Sequence, residues 1–377
     1  MTQNCFLPIT VAACALTACF PQPVPSLIGP TSVGAPGLVI EASPTGIPLV
    51  AAGSPMPAPA PTSTPYDIPV TPPGFPLRGS LLLADHALGV ARLDLTTDHI
   101  TPIYQPSTNA FIAGAVLSPD RQTLLMAYGP PPAPGQVQYD YTQLYTMPAD
   151  GSSPPEPLIP SVSQAEQYTS PLWAPDGKSI YFAHYVPRQS ASQPSDYLLE
   201  HMTVPRGEPE IVGHQIFTMA LSPDGAKMAY VTGDPLSGTN GLFVANADGT
   251  GARQLFSLDT FLGIDGVIFS PDGKSLVFSG AGNGFGDDLA WPDQWVSYPL
   301  RPSLHNIPEE LWRVPIQGGD VKELTHLGDT GYHFSYSPDG QHIAFSTTAT
   351  VYLMNANGSG LTELYSDGIS GNLQWLP

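Results

Sequence analysis

One short phrase recurs five times along this chain: LSPDRQTLLMAY at 117–128, WAPDGKSIYFAH at 173–184, LSPDGAKMAYVT at 221–232, FSPDGKSLVFSG at 269–280 and YSPDGQHIAFST at 336–347. A unit of roughly forty to fifty residues repeated in register makes a radial or solenoid array, because one copy alone has nothing to bury its apolar faces against. Each copy carries an apolar run, a Pro-Asp-Gly turn, a second run, a variable loop, and two further runs around a short turn. That pattern predicts four antiparallel strands. In the fourth copy they fall at 267–269, 275–278, 311–315 and 321–324, and the third copy supplies 242–245 and 252–255 as its last two.

The Pro-Asp-Gly turn fixes its own geometry. Proline presets φ at the second turn position, Asp accepts a hydrogen bond from the backbone two residues on, and Gly accepts a positive φ. Asp120, Asp176, Asp224, Asp272 and Asp339 are therefore turn residues and not members of an active site. The turn prolines fall at Pro119, Pro175, Pro223, Pro271 and Pro338, and Pro377 stands in the same relation to its preceding strand: residues 372–377, NLQWLP, look like the first strand of a unit. Residues 79–104 supply second, third and fourth strands with no SPD strand before them. The two ends are expected to complete one blade together, which removes the exposed edges of an open array. The expectation is an all-β, six-bladed propeller of four-stranded blades, closed by pairing the C-terminal strand with the N-terminal blade segment.

These repeats resemble those of the TolB-like propeller family, with its S-P-D-G-K-x-I-x-F signature, over residues 79–377. Arg121 stands where Gly is usual in the first copy, and Ala174 replaces Ser in the second. The resemblance implies a protein that binds other proteins, although one fold hosts many functions.

Residues 1–19 carry an apolar run from Phe6 that ends in Leu16-Thr17-Ala18-Cys19, too short for a membrane span. This looks like the lipobox of a bacterial lipoprotein, with Cys19 as the acylated residue, although no Lys or Arg precedes Arg78. The protein is therefore expected to be exported and lipid-anchored to a bacterial membrane, on the cell surface or the periplasmic side. Cys5, Cys14 and Cys19 are all the cysteines there are, so the domain beyond them is expected to hold no disulfide and no cysteine metal site. Residues 20–77 are rich in Pro, Ala, Gly, Ser and Thr, with Glu41 and Asp67 their only charges. Such a composition cannot bury enough apolar area to fold and reads as a disordered spacer. The propeller domain is placed at 78–377.

The second loops vary most: 129–141, 185–196, 233–240 and 280–310. Strand alternation puts all of them on one face, where long irregular loops on a rigid scaffold point to function. The longest carries Trp291, Trp295 and Tyr298 beside Asp287, Asp288, Asp293 and His305, the candidate binding loop. Aromatic residues are enriched where proteins touch partners; the alternative is that these rings pack the loop onto the propeller rim. Asp287 and Asp288 lie in a half-match to a calcium-binding nonapeptide, a weak candidate for calcium; no other cofactor is expected.

No Gly-x-Ser-x-Gly, no His-Glu-x-x-His and no phosphate loop occurs, and the nine histidines are scattered. The chain ends where the ring is expected to close, so no hydrolase domain is expected after Pro377. Catalysis is not expected; the alternative is a metal-dependent lactonase or hydrolase with its site at the central channel. A formal charge of −20 repels phosphate backbones, which argues against nucleic acid. The expected state is a monomer that binds a protein or peptide in the cell envelope through its long-loop face.

Overall fold

A computed structural model describes residues 77–377, apart from 86–88, 134, 136–140, 160–165, 188–194, 234–239, 257–260, 283–307, 349 and 366–371. Among the described residues, twenty-four strands form six four-stranded antiparallel sheets. Blade 1 holds β1 (Ser80–Asp85), β2 (Gly89–Asp94) and β3 (His99–Tyr104); blade 2 holds β4 (Phe111–Leu117), β5 (Thr123–Gly129), β6 (Gln143–Pro148) and β7 (Glu156–Pro157). Blade 3 comprises β8 (Gln167–Trp173), β9 (Ser179–Val186), β10 (Asp196–Thr203) and β11 (Glu210–Gly213), and blade 4 comprises β12 (Ile216–Leu221), β13 (Lys227–Gly233), β14 (Asn240–Asn246) and β15 (Arg253–Phe256). Blade 5 follows with β16 (Phe261–Phe269), β17 (Ser275–Gly282), β18 (Glu310–Pro315) and β19 (Lys322–Glu323), and blade 6 with β20 (His333–Tyr336), β21 (His342–Ser346), β22 (Val351–Asn355) and β23 (Thr362–Tyr365). The last strand, β24 (Leu373–Leu376), returns to blade 1 and pairs antiparallel with β1, Leu81 opposite Trp375 and Leu83 opposite Leu373. The ring closes as its repeats require.

The core lies between blades. Successive side chains of a strand point to opposite faces, and each blade is covered on both. Leu81 and Leu83 therefore pack toward blade 6, against Val351 and Leu353, while Leu82 packs toward blade 2, against Leu117 and Leu124. Leu125 faces blade 3 with Ile180 and Phe182; Tyr181 and Leu199 face Met228 and Ala245 of blade 4; Val231 faces Leu276 and Phe278 of blade 5; Val277 faces Ile343 and Phe345 of blade 6. Burial on two faces explains why the second strand of a repeat is almost continuously apolar, as in Leu124-Leu125-Met126-Ala127.

Each SPD turn is locked by its own side chains. Ser118, Ser222, Ser270 and Ser337 donate their hydroxyls to Asp120, Asp224, Asp272 and Asp339 at 2.6 Å, and each of these carboxylates also accepts the N–H two residues on. Those bonds hold the four carboxyls below their ordinary range, the serine hydroxyl contributing most. In the second repeat, Ala174 has no hydroxyl to give, and Asp176 keeps the bond from Lys178 N–H at 2.9 Å.

Candidate functional site

Strand alternation gives the disc two faces. The SPD turns and the turns between third and fourth strands open on one; the second loops and the connections between blades open on the other. Second loops are long in blades 2 to 5 and short in blades 1 and 6, where β1 and β2 are separated by residues 86–88 and β21 and β22 by residues 347–350. Trp291, Trp295, Tyr298, Asp287, Asp288, Asp293 and His305 lie in 283–307, and Cys19 in 1–76, outside the described residues.

Across blades 3 and 4 the long-loop face carries an aromatic ledge. Tyr185 at the end of β9 and Tyr197 at the start of β10 have ring centroids 5.0 Å apart, and Phe217 of the inner strand β12 meets Tyr197 edge-on at 5.0 Å. Phe217 sits where the pairing of β12 with β13 shifts by one residue between Ile216 and Thr218. A bulged residue has no cross-strand partner, so its side chain is re-aimed, here outward. Phe217 is 41% exposed, unusual for a large apolar ring on an inner strand. Gly233, with no side chain, leaves room for it: a Cβ there would lie 3.1 Å from the ring.

A polar rim holds the ledge. Gln215 adopts φ 54° just before the bulge and donates its Nε2 to Ser195 O at 3.0 Å and to Asp196 Oδ1 at 3.1 Å. His214 Nδ1 meets Asp196 Oδ2 at 2.7 Å, and the Tyr185 hydroxyl meets Ser195 Oγ at 3.2 Å. The arrangement offers rigid rings with adaptable hydrogen-bonding groups beside them.

On the same face of blade 3, His184 is clamped between two carboxylates. Its Nδ1 lies 3.2 Å from Glu200 and its Nε2 3.2 Å from Glu166, and Tyr168 stacks on the ring at 4.4 Å. Burial opposes charge on the imidazole, but the Glu200 and Glu166 carboxylates outweigh it and raise its pKa. Burial, with the same two carboxylates, pushes the Tyr168 hydroxyl up to about 12. Both ring nitrogens are engaged, so this histidine ties β8, β9 and β10 together and leaves no nitrogen free to take a proton from a substrate.

Blade 5 contributes a second acidic feature. Glu309, just before β18, is fully buried, and neither carboxylate oxygen meets hydrogen-bond geometry. Burial first, then the neighbouring Asp265, raises its carboxyl well above the usual range. Its neighbour Glu310 is satisfied, accepting from Thr325 Oγ1 and from Gly328 N–H, both at 2.6 Å. Among the described residues no group of three or more His, Cys, Asp or Glu side chains is placed to hold a metal ion.

No family model matches the chain. Over 199 residues it is 27% identical to the uncharacterized peptidase YuxL of Bacillus subtilis, covering 48% of this chain and 30% of that protein. Dipeptidyl-peptidase 5 of Porphyromonas gingivalis is likewise 27% identical over 237 residues, 42% of this chain and 34% of that protein. The chain thus spans about a third of the length of these relatives. Among solved structures, TolB from Acinetobacter baumannii superposes with a TM-score of 0.55 at 15% identity, covering 79% of this chain and 67% of that one. The fold is that of the TolB-like six-bladed propellers.

Proposed function

We propose that this propeller is a binding module of the bacterial cell envelope, anchored by lipid on Cys19 and engaging a protein or peptide through its long-loop face. The TolB-like fold supports a protein-binding module, and the exposed Phe217 at the inner rim, braced by Tyr197 and Tyr185, carries the choice of face. An aromatic anchor surrounded by polar groups is the usual form of a binding hot spot. Trp291, Trp295, Tyr298, Asp287, Asp288, Asp293 and His305 fall in the sequence between β17 and β18, outside the described residues, and are proposed as further contacts to the same partner. On this reading the domain acts as a monomer and needs no cofactor, and Asp287 and Asp288 are the weak candidates for calcium.

The test is cross-linking in cells followed by capture of the full chain, wild type against Phe217→Ser. A partner held by the wild type and lost from the folded variant is expected; a partner retained equally moves the site off this face. Fractionation of Cys19→Ser tests the anchor: release from membranes is expected, and retention removes acylation as the tether.

A hydrolase reading draws on the relatives that bear peptidase names. Both ring nitrogens of the buried His184 are already engaged, which counts against it as a general base. Metal analysis of the purified chain, with peptide and lactone substrates assayed before and after added calcium or zinc, separates the readings: stoichiometric metal with turnover supports the enzyme.

A further inference from the structure

The charges of this disc are sorted by face. Among the described residues every lysine and arginine reaches the side of the SPD turns. Arg121, Lys178 and Lys274 stand in or just after those turns, and Arg78 and Lys227 stand where second strands begin. Arg206, Arg253 and Lys322 flank the turns between third and fourth strands, on the same side. Arg92 and Arg313 lie within third strands but reach back to it, donating Nε to Ser80 Oγ at 2.8 Å and to Ser275 Oγ at 3.0 Å, the first residues of β1 and β17. Arg188 and Arg301 fall outside the described residues.

The long-loop side carries carboxylates instead. Glu166 precedes β8, Asp196 opens β10, Glu310 opens β18 and Asp329 lies in the connection from blade 5 to blade 6. Of these, Asp196 borders the aromatic ledge. It adjoins Tyr197 in the chain, and its two oxygens are held by Gln215 and His214, which stand just before Phe217. A carboxylate has about four lone-pair sites, so these two contacts leave room for another donor. With a chain at −20 and its described cations gathered on the other side, the field over the ledge is negative and draws cationic groups toward it.

Taking the long-loop face as the binding face, a reading on which this step rests, we infer that its partner presents a basic segment of polypeptide, which lays a lysine or arginine side chain on the Phe217 ring with its charge beside the Asp196 carboxylate. The faces of aromatic rings attract a cation, and Phe217 is the exposed ring of the ledge. Any partner that covers this ring also takes Asp196 out of water. A cationic side chain offsets that cost, whereas an apolar or anionic one does not. The long stem of lysine or arginine supplies apolar contact to the ring while its head reaches the carboxylate.

Calorimetric titration of the purified full chain with two acetylated peptide amides, RARARA and EAEAEA, tests the inference. The arginine peptide is expected to bind and the glutamate peptide not to, with the affinity for the first falling as salt is raised. Phe217→Ser weakens it about tenfold and Asp196→Asn about threefold. Asp320→Asn, which removes the same charge from an exposed turn on the SPD side, leaves it unchanged. Equal binding of the two peptides, or a loss no greater for Phe217→Ser and Asp196→Asn than for Asp320→Asn, overturns the basic occupant. The face itself is judged separately by capture in cells. A partner lost from Phe217→Ser while the arginine peptide fails to bind keeps the face and removes its cationic ligand; a partner retained by Phe217→Ser removes both.

Discussion

At the scale of single residues the most consequential group is a buried carboxyl whose pKa is raised. Glu309 is sealed from solvent beside Asp265, and its ordinary value is 4.5. In the folded state it keeps a proton that the unfolded chain gives up, so its contribution to stability is complete below 4.5 and declines as pH rises toward the higher folded value. Glu309→Gln preserves the shape and the neutrality without the titration. The variant is expected to lose less stability than the wild type between about pH 5 and about pH 8 in urea melts. Equal slopes for the two proteins would mean that the carboxyl is ionised in the fold.

At the scale of strands the ring is fastened by side chains where no backbone ladder runs. Asn372, just before β24, accepts Ala115 N–H at 2.8 Å and donates to Ala115 O at 2.9 Å, while Gln374 accepts Leu117 N–H at 2.8 Å. Gly114 makes space, since a Cβ there would come within 3.1 Å of the Asn372 amide. Asn372→Ala orphans a buried donor and acceptor together and is expected to cost about 1–3 kcal/mol, measured by denaturant unfolding. A loss well under that range would mean water replaces the amide.

The blade pattern itself was legible because every repeat carries its own turn chemistry, and NLQWLP at 372–377 has the form of a first strand. The ledge was not. Phe217 reads as an ordinary apolar strand residue, and only the register shift beside it turns the ring outward. The same irregularity recurs near the start of β4, in the middle of β8 and twice in β16, in the blades with long second loops, and Gly114, Pro171 and Gly266 are its faint marks in sequence. The His184 clamp was also missed: the histidine and Glu200 lie sixteen residues apart. Their neighbourhood follows from the hairpin register that pairs Val186 with Asp196, which sets them diagonally on adjacent strands.

For the whole molecule the titrating groups divide into two sets with opposite pH dependence. Asp120, Asp224, Asp272 and Asp339 are held below the ordinary 3.8, so what they contribute is intact above that value and is lost as pH falls through their folded values. Glu309 and His184 are both raised, so their contributions are intact below 4.5 and 6.5 and are lost as pH rises through their folded values. Mutual repulsion of a chain at −20 adds to the second trend, because the folded state packs that charge into a smaller volume. These trends place greatest stability on the acid side of neutrality, between the turn aspartates' limit and the histidine's ordinary 6.5. The sequence isoelectric point of about 4.5 lies inside that interval, so solubility is lowest near where the fold is firmest. Chemical unfolding at dilute protein, followed from about pH 3 to about pH 9, is expected to show a maximum below 6.5, and Glu309→Gln moves that maximum toward neutrality. A wild-type maximum above 7 would overturn the raised values of both Glu309 and His184.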